Sequence, residues 1–117
     1  MKIIDFQTIN NLKISYSKCV EWVEEALQIK REIKLPAKIS LKLDNNVFFN
    51  TMPCYIPSLN IIGIKFVSRY PKRIPSLISD LLLFDSENGD LLSMMNADWI
   101  TTMRTGAVAA LSIKKLQ

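Results

Sequence analysis

At Pro36 the apolar spacing of this 117-residue chain switches from that of a helix to that of a strand. Before it, Val20, Val23, Ala26 and Leu27 recur at helical intervals, with Glu21, Glu24 and Glu25 on the wetter side. Ser15 or Ser17 can cap that helix, which runs to about residue 31. A short strand at Lys2–Ile4 and a helical turn capped by Asp5 precede it. From Lys38 the period is two: Ile39, Leu41 and Leu43 alternate with Ser40, Lys42 and Asp44. Asp44-Asn45-Asn46 is turn chemistry, and residues 47–51 return as the second arm of a hairpin. Pro53 and Pro57 interrupt the next stretch. Ile61–Arg69 is a strand, and the prolines at 71 and 75 make residues 70–75 a loop, since each removes a ladder donor. Residues 76–85 form a further strand, apolar enough at 81–84 to be buried on both faces. Ser86-Glu87-Asn88-Gly89 turns the chain into residues 90–96. A last helix spans about 97–116, with Asp98 at its start and Lys114 and Lys115 at its end, as the helix dipole favours. The fold class is α+β: an antiparallel or mixed sheet packed with helices.

A single domain of this size should expose roughly 6,500 Å² folded against about 19,000 Å² unfolded, which predicts one proper core. With 49% hydrophobic and 22% charged residues, disorder is not expected. Two absences narrow the chemistry. There is no histidine, so Ser-His-Asp and Cys-His nucleophile pairs and histidine-ligated zinc are excluded. Gly63, Gly89 and Gly106 are the only glycines, too dispersed to build a dinucleotide turn or a P-loop. The net charge of +4 comes from scattered cations. Their densest cluster, Arg69, Lys72 and Arg73, lacks stacking aromatics, so no nucleic-acid partner is expected. Cys19 and Cys54 lack the CxxC spacing of metal or redox motifs; Cys19 reads as a small core hydrophobe, and no metal site is expected. No apolar run approaches the length of a membrane helix and no signal peptide is apparent, so the expected compartment is the cytoplasm.

Without histidine, the polar residues that could carry chemistry are cations. Lys65 interrupts the apolar strand Ile61-Ile62-Gly63-Ile64-Lys65-Phe66-Val67, where a buried ammonium is costly unless paired. The plainer alternative is a lysine facing outward on an alternating strand. Lys38, just after Pro36, is either a ligand contact or a solvated strand end. Arg104-Thr105-Gly106-Ala107 lies in the last helix beside small residues that permit close approach; its arginine suits a two-pronged grip on a carboxylate or phosphate, or simply lies on the surface. Ser76 could donate to an anion or cap a turn.

In combination these segments become specific. Asn50-Thr51-Met52-Pro53, Gly63 to Pro71 (with Gly-Ile-Lys at its head), Phe84-Asp85 to Gly89 and Ile100-Thr101-Thr102-Met103-Arg104-Thr105-Gly106-Ala107 resemble, in order and spacing, the ornithine cyclodeaminase/mu-crystallin family. The resemblance covers nearly the whole chain. It implies a subunit in which a substrate-binding and dimerisation domain precedes a Rossmann domain holding NAD or NADP. By that resemblance Lys65 sits beside the substrate carboxylate and the reacting centre, as the catalytic lysine. Arg104 grips the carboxylate, and Lys38 falls where many members have a second carboxylate-binding arginine. Ser76, Arg104 and Thr105 fall at cofactor contacts. Lys for Arg at position 38 gives up the planar fork, and Asn50 stands where the ornithine-specific enzyme has an acid, which weakens the case for a dibasic substrate.

Residues 1–117 are therefore expected to form the substrate-binding and dimerisation domain alone, truncated before the NAD-binding domain. On that expectation the chain supplies half an active site. It is inactive alone and binds no nicotinamide cofactor tightly. Its partners are a second copy, a small amino or imino acid, and a separate Rossmann-domain half. The alternative is a stand-alone, non-catalytic dimeric module that binds a small carboxylate.

Overall fold

The computed structural model describes residues 1–116. Along the chain run β1 (Lys2–Ile4), α1 (Phe6–Asn11), α2 (Tyr16–Gln28), β2 (Ile39–Lys42), β3 (Phe48–Ile56), a 3-10 turn (Pro57–Leu59), β4 (Ile61–Arg69), β5 (Leu77–Asp85), β6 (Leu91–Asn96) and α3 (Asp98–Leu116). The strands form one mixed sheet in the order β1-β6-β5-β4-β3-β2. All its pairings are antiparallel except that of β1 with β6. No helix among the described residues is long and apolar enough to cross a membrane.

Local chemistry accounts for most of the boundaries. Asp5 caps α1 by accepting from the Thr8 amide at 2.8 Å, and Ser15 rather than Ser17 caps α2 by accepting from the Lys18 amide at 3.1 Å. The β2–β3 hairpin turns through Asn45 and Asn46, both left-handed at φ 63° and 61°, a conformation asparagine tolerates better than most side chains. Gly89, at φ 80°, supplies the same freedom between β5 and β6.

Pro53 does not interrupt its strand: β3 runs on to Ile56. The Tyr55 amide bonds to Lys34 on the side away from β4. By the two-residue period the donor missing at Pro53 faces that same side, beyond the end of β2, so no ladder bond is lost. Helix α2 ends at Gln28, three residues short of the predicted limit, and Ala26 and Leu27 are exposed while Cys19 is buried.

Cross-strand register sorts the side chains onto two faces. One carries Ile4, Met95, Leu81, Lys65 and Met52 in a single row across β1, β6, β5, β4 and β3. Helix α3 packs on α2 and touches the sheet at β5. The opposite, bare face carries Ile39, Leu41, Phe49, Ile64, Phe66 and Met94, with the Phe49 and Phe66 ring centroids 6.0 Å apart. Residues 81–84 of β5 are only half-buried, contrary to the expectation of burial on both faces.

The buried apolar side chains are few: Ile9, Cys19, Ala97, Ala107 and Leu111, all in or beside the helices. The accessible surface is 8581 Å², well above the roughly 6,500 Å² expected of a closed monomer this size. The radius of gyration, 15.4 Å, likewise exceeds the ~13 Å of a compact chain. The predicted single core is thus only partly closed, because one sheet cannot cover both of its own faces with three helices on one side.

Candidate functional site

Lys65 lies at the middle of β4, paired with Met52 on one side and Leu81 on the other, so its stem is flanked by apolar neighbours. It is half-buried. Burial holds its ammonium below the ordinary lysine value, and the positive charge of Arg104 lowers it further. Arg104 comes from α3 and is itself exposed. Two cations are therefore held near one another, and neither has a carboxylate partner: the ion pairs among the described residues are Lys18–Glu21 and Lys115–Glu24. Such a pair is stabilised by an anion. The space above Gly63, two residues before Lys65, is occupied by Leu83 and Leu81, whose side chains would meet an added Cβ at ordinary contact distances of 3.5 and 3.9 Å.

Lys38 immediately precedes β2, and extending the β2–β3 register by one residue sets it beside Met52, in the row of Lys65. Two strand spacings, about 10 Å, separate it from Lys65. It lines an open depression of about 460 Å³, along with Ser40, Lys42, Asn46, Asn50 and Arg69. Helix α3 thus brings Arg104 near Lys65, and the sheet places Lys38 in a neighbouring recess. Sequence pattern alone does not single out Lys42 and Arg69 as site residues. Strand arithmetic is the signal that could find them, since both are register partners of Phe48.

None of the three candidates for cofactor contact lines the smaller depression of about 210 Å³, whose walls are Pro75, Leu77, Ser79, Asp98, Thr101 and Thr102. Ser76 lies between two of its lining residues, and Arg104 and Thr105 follow one helical turn after Thr101 and Thr102. The Thr105 hydroxyl donates to the Thr101 carbonyl at 2.9 Å. The Thr101 hydroxyl is enclosed with no partner, an orphan that a ligand atom could satisfy. Among the described residues no glycine opens a helix, so they build no phosphate cradle of that kind.

Two polar clusters fix the frame. Asp98 accepts from the Ser79 amide at 2.6 Å and from the Asn96 side chain at 3.3 Å, tying the start of α3 to β5 and β6. Arg73 donates to the Ser68 and Ser76 carbonyls and the Ser68 hydroxyl at 3.0–3.1 Å, and its guanidinium lies 4.9 Å from the Tyr70 ring centre. This cation, which in sequence belongs to a charge cluster, is spent on bracing the loop that delivers Ser76.

The sequence model of the ornithine cyclodeaminase/mu-crystallin family matches residues 2–117. The chain belongs to that family. Mouse ketimine reductase mu-crystallin is 36% identical over 74 residues, covering 60% of this chain and 24% of its own length. The Δ1-pyrroline-2-carboxylate reductase of Thermococcus litoralis, solved with NADH and L-proline, superposes with a TM-score of 0.83 at 29% identity, over 93% of this chain and 36% of its own. An archaeal alanine dehydrogenase dimer solved with NAD gives 0.82 at 26% identity, over 92% and 34%. The chain therefore spans about a quarter of the curated relative and about a third of the solved ones. Its α+β architecture is that of the N-terminal domain of ornithine cyclodeaminase-like proteins, whose members include nicotinamide-dependent reductases and dehydrogenases.

Proposed function

We propose that this chain is the substrate-binding and dimerisation part of an ornithine cyclodeaminase-like, NAD(P)-dependent enzyme acting on an amino or imino acid. The observation that carries the reading is the juxtaposition of Lys65 and Arg104, two cations without a carboxylate partner on a half-buried sheet face. A substrate carboxylate placed between them relieves their mutual repulsion, and the arginine fork adds directional hydrogen bonds. Lys65, with its affinity for protons lowered, is also the residue best suited to exchange a proton with an amine or imine nitrogen. When bound, the nicotinamide supplies or removes the hydride; Ser76, Arg104 and Thr105 serve as its contacts from this side. The unpaired thiols of Cys19 and Cys54 accord with a reducing, cytoplasmic setting.

Binding of L-proline and L-alanine to the 117-residue chain, followed by amide shifts in NMR, tests this directly. The shifts should centre on residues 63–67 and 103–106. Lys65→Met and Arg104→Gln should each weaken binding about tenfold or more. Full affinity in both variants would show that the carboxylate lies elsewhere. The second reading, a dimeric carboxylate-binding module without turnover, draws on the bare apolar sheet face. It is separated from the first by whether hydride transfer appears once the nicotinamide-binding half is supplied.

A further inference from the structure

The recess beside Lys38 carries cations that the α-carboxylate site does not need. Lys42 and Arg69 meet there as the two register partners of Phe48, at the far end of the face from Lys65. Along β4 the Arg69 and Lys65 Cα atoms are about 13 Å apart, too far for one carboxylate to serve both ends. No acidic residue lines the recess, and neither Lys42 nor Arg69 has an ion-pair partner among the described residues. Between the two cationic ends lie Ser40 and Asn50, opposite one another on β2 and β3. The Asn50 amide oxygen is fully enclosed and unpartnered, so what that side chain can present to the recess is its N–H donors. Cations at one end, hydroxyl and amide donors in the middle and no acceptor with charge describe a site for an anion, and one that repels an ammonium.

We propose that this recess is a second anion subsite, in which Lys42, Arg69 and the Asn50 amide hold the distal carboxylate of a dicarboxylic amino or imino acid. This rests on the reading of Lys65 and Arg104 as the α-carboxylate site. Lys38, which belongs to both the Lys65 row and the recess, bridges the two. Lysine and arginine side chains are long enough to close much of the separation, leaving a gap that a four- or five-carbon dicarboxylate spans. The volume of about 460 Å³ is ample for such a ligand.

Calorimetric titration of the chain with L-glutamate, L-aspartate, L-alanine, L-ornithine and inorganic phosphate tests the assignment. The acidic amino acids should bind about tenfold or more tightly than alanine. Lys42→Gln combined with Arg69→Gln should erase that preference and leave alanine binding unchanged, whereas Arg104→Gln should weaken both. Lys42→Glu should shift preference toward ornithine. Both substituted positions are exposed, so the fold should survive, and circular dichroism checks it. Alanine and glutamate binding equally, with both depending on Lys65 and Arg104, would overturn the subsite and leave the carboxylate site standing. Phosphate displacing glutamate from Lys42 and Arg69 irrespective of Lys65 would show an isolated anion patch and overturn the bridge. No carboxylate binding at all would overturn both readings.

Discussion

Lys65 is costly to keep protonated, because burial and then Arg104 disfavour its ammonium. Its pKa in the folded chain lies below the ordinary 10.5, so between the two values the unfolded chain binds more protons and stability rises with pH. Cys54 acts oppositely: burial raises its thiol above 9.0, so stability falls as the unfolded thiol ionises. The difference between the parent chain and Lys65→Met isolates the lysine. We expect the variant to be the more stable below the lowered pKa and the advantage to vanish as pH climbs toward 10.5, as urea unfolding at a series of pH values will show. A carboxylate that seats between Lys65 and Arg104 should raise the lysine's pKa again. Binding in alkaline buffer should then draw in a proton, visible as a dependence of the calorimetric heat on the buffer's ionisation enthalpy. That Lys65 is unusual could be read from its apolar strand. That Arg104 is its neighbour could not, since only the packing of α3 against the sheet brings a helix residue back toward the strands.

At the level of elements, the strands from Ile61 onward follow their sequence patterns almost to the residue, because their apolar runs end in proline or Asn-Gly chemistry. Pro53 misled because a proline is compatible with a strand wherever its missing donor faces no neighbour, and that depends on where β2 stops. Leu27 misled in another way: helical periodicity predicts a common face but not whether anything covers its last turn. The attachment of α3 was also hidden, since Asp98 looks from sequence like a dipole-favoured acid. In the fold it accepts from the amide of Ser79, a residue only 2% exposed. Asp98→Ala should orphan that amide and destabilise the chain by about 1–3 kcal/mol, measured by urea unfolding. Since α3 carries Arg104 and Thr105, the same change should weaken carboxylate binding without touching a ligand. Asp98→Asn, which keeps one acceptor, should recover part of both losses.

Taken as a whole the molecule has more sheet than it can cover. Composition foretold enough apolar material for a core, but not that much of it would line an uncovered face. On that face Leu41 is 61% and Met94 41% exposed, and Ile39 reaches 64%. The excess over a closed monomer, about 2,000 Å² by size scaling, is more than twice the roughly 800 Å² that each partner contributes to a standard protein–protein interface. A second copy is the symmetric way to cover it, since a two-fold axis sets the same patch against itself. The expected outcome is a dimer in sedimentation equilibrium at micromolar concentration. Leu41→Lys together with Met94→Lys should shift it to monomer: each side chain is largely in water within one chain, so the cost falls on association rather than on folding. If the parent chain sediments as a stable monomer and the double variant matches it in stability, the bare face has some other cover. If both remain dimeric, the pairing runs instead through a sheet edge, where β2 leaves one side of its backbone without a partner strand.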